Sequence, residues 1–204
     1  MANVVAPFGL RIARTGNQAA YNAQLNTYWI PSSDGNAYYE GDIVKSLANA
    51  DGNGIPGVVK ITNGTDTPRG FIVGVLPSLL GGNSMQGTNL DLTQVSIPAS
   101  KTRDYYVLVC DDPDVIFEVQ GDSTATNQVA ANVNKNASLT IAAPSTATFP
   151  LSASVVNSST IATTQALIIR LMGLAQFPGN GFGANATWMA KFNQHELQGN
   201  TSGI

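Results

Sequence analysis

YYVLVCDDPDVIFEVQGD, running from Tyr105 to Asp122, holds two apolar runs of strand length on either side of a turn. In the second run Val115, Phe117 and Val119 alternate with Ile116, Glu118 and Gln120, the period-two pattern of a strand with one apolar face. The first run is apolar on both faces, with Tyr106, Leu108 and Cys110 opposing Val107 and Val109. That pattern fits the central strand of a sandwich, or a strand covered by a neighbouring subunit. Between the runs, Asp112 followed by Pro113 starts a tight type I turn, because proline supplies the fixed φ. The unit is predicted to be a β-hairpin.

Working outward, further strands are predicted at Thr27 to Ile30, Ile43 to Ser46, Val58 to Thr62, Gly70 to Leu76, Leu139 to Ala142, Ala153 to Val156, Ala166 to Met172 and Ala186 to Phe192. Each is rich in β-branched and aromatic residues and bounded by Gly, Pro, Asn or Asp. The best helical stretch, TATNQVAANV from Thr124, sets Val129 and Val133 four apart but has too few other apolar residues to bury a face. An all-β, antiparallel β-sandwich over residues 21–204 with little helix is therefore expected. Loop insertions are expected at 48–57 and 77–94, where ADGNGIPG and LLGGNSMQGTN favour positive φ. Residues 1–20 alternate little and read as an extended N-terminal arm that orders against a partner, so deleting them is expected to leave a folded protein.

Charged residues make up 11% of the 204, against roughly a quarter in an ordinary soluble domain. Asn, Gln, Ser, Thr and Gly take their place, giving a surface that hydrogen-bonds without a large desolvation cost and suits permanent contact. The net charge is −3 and the isoelectric point near 4.9, with Lys and Arg scattered singly, so no nucleic-acid partner is expected. No membrane segment is expected either, since FIVGVLPSLL from Phe71 and ALIIRLMGLA from Ala166 are too short to span a bilayer. The opening MANVVAPFGLRIAR lacks the apolar run of a secretory signal, and the lone cysteine, Cys110, sits in an apolar run as a buried structural thiol.

The motifs that carry chemistry fail on context. Gly52, Gly54 and Gly57 have GxGxxG spacing, but Pro56 interrupts it and a strand, not a helix, follows. Asn49, Asp51, Asn53 and Gly54 imitate a calcium loop, yet Lys60 stands where the bidentate carboxylate belongs. Asp111, Asp112 and Asp114 read as solvated aspartates at a hairpin tip. His195 beside Glu196 has no GxSxG elbow to serve, and Glu40, Glu118 and Glu196 lie in no catalytic context. No enzyme activity, cofactor or metal is expected, and the Asn-x-Ser/Thr triplets at Asn63 and Asn185 are what chance gives in so Asn-rich a chain.

Three blocks, DDPDVIFEVQGD (Asp111 to Asp122), VNKNASLTIAA (Val133 to Ala143) and ATTQALIIRLMGL with WMAKFNQHEL in the last third, resemble the capsid decoration, or cement, proteins of tailed bacteriophages. The start, MANVVAPFGLRIAR, is similar to the start of such virion proteins. The resemblance implies a jelly-roll-like sandwich that binds the outside of an icosahedral head and bridges major capsid protein subunits. It also implies a small cyclic homo-oligomer, trimer preferred over dimer, made in the host cytoplasm and located on the virion. Pro7, Phe8, Leu10 and Arg11 are then the expected arm contacts, with Tyr38 and Tyr39 as secondary contacts after the turn SSDGN. Another virion part, such as a head-to-tail connector, tail or fibre protein, shares the composition. More remote is a carbohydrate-binding or hydrolytic β-sandwich, which needs exposed aromatics and a carboxylate pair.

Overall fold

The structure is a computed structural model that describes residues 3–16, 19–22, 24–76, 94–144 and 150–198. Its strands are β1 (Leu10–Thr15), β2 (Asn26–Ile30), β3 (Tyr38–Tyr39), β4 (Ile43–Ala50), β5 (Pro56–Lys60), β6 (Gly70–Val75) and β7 (Ser96–Ile97). Then follow β8 (Tyr105–Cys110), β9 (Val115–Gln120), β10 (Asn136–Thr140), β11 (Val155–Ala162), β12 (Ile169–Leu174) and β13 (Thr187–Phe192). The all-β expectation is met. Among the described residues the helical content is one 3₁₀ turn, Ala130–Asn132, within the stretch that read as weakly helical.

Two layers result. A six-stranded antiparallel sheet has the order β1-β9-β13-β12-β10-β11, and its last strand curls back so that Val156 bridges Gly121 at the end of β9. Beside it, β2-β5-β4-β6-β8 form a closed five-stranded barrel, which the sequence reading did not foresee. Closure needs the pairing of β2 with β5, which is parallel and rests on Trp29 and Gly57. The 48–57 stretch expected as an inserted loop is the end of β4, a turn and the start of β5. Of the other, 77–94, residues 77–93 lie outside the described residues.

The turn after Cys110 forms as expected, with the Val115 N–H donating to the Asp112 carbonyl at 3.2 Å. The predicted hairpin is corrected: β8 pairs with β2 and β6 in the barrel and β9 with β1 and β13 in the sheet, so the two strands do not pair with each other and the turn is the joint between the layers. At its Cys110 end β8 therefore has core on both faces, while Tyr106 and Leu108 on the outer face are half-buried. Tyr105, Val107 and Val109 fill the barrel with Tyr28, Ile30, Tyr38, Val44, Val58, Ile72 and Ile97, while Cys110 faces the core between the layers. The same alternation splits Ile43 from Val44 and Phe71 from Ile72. In the inter-layer core the rings of Phe71, Phe117 and Phe192 meet with centroids 4.9 to 6.2 Å apart, tying barrel strand β6 to sheet strands β9 and β13. Burial pushes the Cys110 thiol above its ordinary value, as a structural cysteine requires.

The expected arm is shorter than residues 1–20. Residues 10–15 are β1, paired with β9 from Leu10↔Val119 to Thr15↔Val115, so the freely extended part ends at Gly9. There the chain crosses the barrel end: Leu10 N–H donates to the Gly41 carbonyl at 3.1 Å, and both Gly9 and Gly41 have positive φ. A Cβ on Gly41 would stand 2.3 Å from the Phe8 carbonyl oxygen, so the crossing admits no side chain. Deleting everything before Tyr21 would remove this strand and the buried Leu10. The expectation of an unharmed fold is corrected accordingly.

Polar groups staple the layers at the opposite side. Asp111 accepts hydrogen bonds from Asn26 Nδ2 (2.9 Å) and Tyr28 Oη (2.6 Å), and Arg69 Nη2 lies 3.4 Å from it. Arg69 also approaches Glu196, just past β13, at 3.9 Å, and Glu196 accepts from the Ser46 N–H at 2.8 Å. Desolvation, then the Asp111 hydrogen bond, push the Tyr28 phenol up to about 12.

Candidate interface

At one end of the six-stranded sheet, residues 3–9 lie against the turn-rich connection between β12 and β13, FPGNGFGAN. Two neutral amides, Asn3 and Gln120, hold the two segments together, and a third, Asn180, braces the connection itself. Asn3 Nδ2 donates to the carbonyls of Gly181 (2.9 Å) and Ala184 (2.8 Å), and its Oδ1 accepts the Gly181 N–H (3.0 Å). Gln120, buried on β9, donates to Val4 O (2.9 Å) and Asn185 O (3.2 Å) and accepts the Ala6 N–H (3.0 Å). Asn180 donates to Ala175 O and Thr187 O, both at 2.8 Å, and accepts the Thr187 N–H at 2.9 Å. An amide offers two donors and an acceptor, so each closes several loop backbone groups that no strand pairs.

Clamping the backbone leaves the neighbouring side chains outward. Val4 is 78% exposed, Val5 70%, and Phe177 and Phe182 46% each. The Phe182 ring packs on buried Trp188 at 5.7 Å, which fixes its exposed edge, and Trp188 Nε1 donates to Gln128 at 3.4 Å. Between the two segments lies a cavity of about 340 Å³ lined by Val4, Phe8, Gln120, Phe177, Pro178 and Asn180 among others. Among the described residues no ionisable side chain lines it. A contiguous apolar patch on an ordered scaffold marks an interaction surface more often than scattered exposed leucines do.

The expected contact residues divide. Pro7 and Phe8 are half-buried in this clamped segment, and Phe8 also lines a second groove with Arg11, Glu40 and Leu151. Arg11 is exposed, 4.6 Å over the Phe8 ring, and paired with Glu118 at 2.5 Å. Leu10 and Tyr38 are corrected: they are 2% and 0% exposed, filling the inter-layer core and the barrel, so neither can touch another molecule. Their alternation puts them inward: Leu10 opposes Val119, and Tyr38 opposes Ile97. Tyr39 is half-buried with the Lys60 ammonium 5.5 Å from its ring centroid. Val4, Val5, Phe177 and Phe182 were missed, although two phenylalanines in a Gly/Pro/Asn loop with no strand to bury them were a readable signal.

The rejected motifs occupy structural positions. Asp51 heads a turn: burial raises its pKa, but the N–H groups of Ile55 and Asn53 and the Tyr106 hydroxyl lower it to a value below the ordinary one. Asp111 turns inward to Arg69, Asp112 accepts the Asp114 N–H at 2.9 Å, and Asp114 lies 3.7 Å from Lys191. No group of three metal-ligating side chains occurs among the described residues. His195 and Glu196 do not act as a pair on a serine. Glu196 takes Ser46, and His195 Nδ1 accepts the Leu197 N–H at 3.1 Å. Among the described residues no helix is long and apolar enough to cross a membrane. Comparison with protein-family models, with curated proteins and with solved structures finds no match for this chain.

Proposed function

We propose that this chain is a virion structural protein that binds the outer surface of an icosahedral phage head and stabilises it by bridging major capsid protein subunits, acting as a homo-oligomer with a trimer preferred. The observation that carries the reading is the set of exposed apolar side chains Val4, Val5, Phe177 and Phe182 on two segments clamped together, Val4 and Phe177 lining a cavity that no ionisable side chain among the described residues enters. A protein that works in many copies sums modest contacts into avidity, and such contacts are built from apolar anchors in a neutral surround. The resemblance of Asp111–Asp122 and the later blocks to cement proteins supports the same reading.

The test is decoration of purified heads lacking the protein. A double variant, Val4→Asp with Phe177→Asp, places carboxylates in the patch on side chains already exposed, so the thermal midpoint of the free protein should hold. Losing one anchor of at least about 2 kcal/mol weakens each contact about 30-fold, and binding to heads should fall at least that far. Unchanged decoration, or equal heat release of DNA from decorated and bare heads, would reject the proposal.

A further inference from the structure

Asp42 and Lys60 form the most enclosed ion pair among the described residues for which both partners' exposures are given: Asp42 is fully buried, the Lys60 side chain is 11% exposed, and Nζ lies 2.6 Å from Oδ2. Asp42 stands just before β4 and Lys60 ends β5, in register because Val44 pairs with Lys60. The surroundings are poor in water. Tyr38, 0% exposed, accepts the Lys60 backbone N–H at 3.2 Å, and the Tyr39 ring covers the ammonium.

The pair is incompletely satisfied. Oδ2 accepts both the ammonium and the Tyr39 N–H (3.0 Å), while Oδ1 is buried and receives no hydrogen bond of good geometry among the described residues, the Ser152 hydroxyl being near the carboxyl but bonded to Ser154 at 3.0 Å. A buried carboxylate with one bare oxygen is costly, and a close ion pair in such a setting can neutralise by moving its proton. Burial, ahead of the opposing pull of Lys60 and the Ser152 hydroxyl, raises the Asp42 carboxyl above its ordinary value.

We propose that Asp42 and Lys60 are a modification site, at which the carboxyl and amine condense within the folded chain to an isopeptide bond. Lys60 gives one proton to the carboxylate, and the freed Nζ lone pair adds to Cγ. Nζ then loses a second proton to the departing Oδ1 hydroxyl, and one water leaves. A C–N bond forms and a C–O bond breaks, with no oxidation or reduction. The product keeps Oδ2 as an amide oxygen on the Tyr39 N–H and removes the atom that had no partner. The 2.6 Å contact is between Nζ and Oδ2, and it keeps the amine beside the carboxyl whose Cγ it attacks.

The inference is independent of any role on a head. Intact mass of the purified protein under denaturing conditions should be lower than the sequence mass by one water. A tryptic digest should hold peptide Thr15–Lys45 joined to Ser46–Arg69, uncleaved after Lys60. The cross-linked peptide separates this from dehydration elsewhere and from terminal processing. Asp42→Asn should release ammonia and reach the same product mass, and Lys60→Arg should abolish the cross-link. Because the wild-type measurement depends on no variant's folding, separate peptides carrying an unmodified Asp42 and a cleavable Lys60 would overturn the proposal.

Discussion

The barrel and the six-stranded sheet solve burial differently. The barrel interior is filled by tyrosines and β-branched residues, Tyr28, Tyr38, Tyr105, Val107 and Ile72, whose phenols end on polar partners such as Asp111 and the Lys60 N–H. The inter-layer core is filled by Phe71, Phe117, Phe192 and Trp188, and the Phe71 ring ties the barrel to the sheet by its contacts with Phe117 and Phe192. A closed barrel satisfies its own edges and needs only a plug, whereas a sheet must find a second surface. Disturbing the ring cluster should therefore damage both layers, and disturbing the barrel plug should damage one.

The largest effect is expected from Phe117→Ala, which removes the middle ring of the cluster. It should cost about 3–5 kcal/mol and lower the unfolding midpoint for both layers together. Ile72→Ala in the barrel should cost about 2–5 kcal/mol, and Ile72→Val about 0.5–1.5 kcal/mol. Hydrogen exchange read residue by residue tests the contrast. Protection lost equally in β2 and β12 after Ile72→Val would show that the layers are one cooperative unit.

The staple between the layers should make stability depend on pH. Burial, above all, holds the His195 imidazole below its ordinary value of 6.5, and protonation would also break the bond that Nδ1 accepts from Leu197. Its contribution is then full above about 6.5 and is lost as pH falls from there toward the folded value. The unfolding midpoint should decline on acidification through that window, and His195→Gln should flatten the decline. Asp42 has the opposite sign: a raised carboxyl favours the fold more as pH falls through its folded value, a dependence that vanishes if the pair has condensed.

The smallest effect is expected at Arg11, exposed on the edge strand despite its 2.5 Å pair with Glu118. Arg11→Ala should change stability by about 0–1 kcal/mol, less in high salt, and a loss beyond that would give the cation over Phe8 a larger role in holding the N-terminal segment.

Much of this architecture is legible in Tyr105–Asp122. Strict alternation identified β9, and its Phe117 and Val119 lie in the core as the period requires. The two apolar faces of β8 announced a strand covered on both sides, and the structure bears this out only in part: Tyr105, Val107 and Val109 face the barrel's interior, whereas of the other face Cys110 alone reaches the core shared with the sheet. The two-residue strands β3 and β7 left no periodicity to read, and β1 was taken for an arm because its alternation is broken by the bulge between Ile12 and Arg14. The candidate interface was half legible. Its aromatics stand out in a loop of glycines, but bringing that loop beside Val4 and Val5 depends on hydrogen bonds between residues almost the whole chain apart, such as those of the Asn3 side chain with Gly181.

By itself, then, the sequence determined strand content, the turn between β8 and β9, the buried thiol and a composition poor in charge, because period, turn chemistry and composition are local or additive properties; that the two strands part into different sheets instead of pairing as a hairpin was not among them. The tertiary structure alone decided that the strands divide into a closed barrel and a sheet, that Leu10 and Tyr38 are core, and that Asp42 meets Lys60. Those outcomes depend on which distant strands pair and which faces they present, and free energy summed over the whole chain sets that choice.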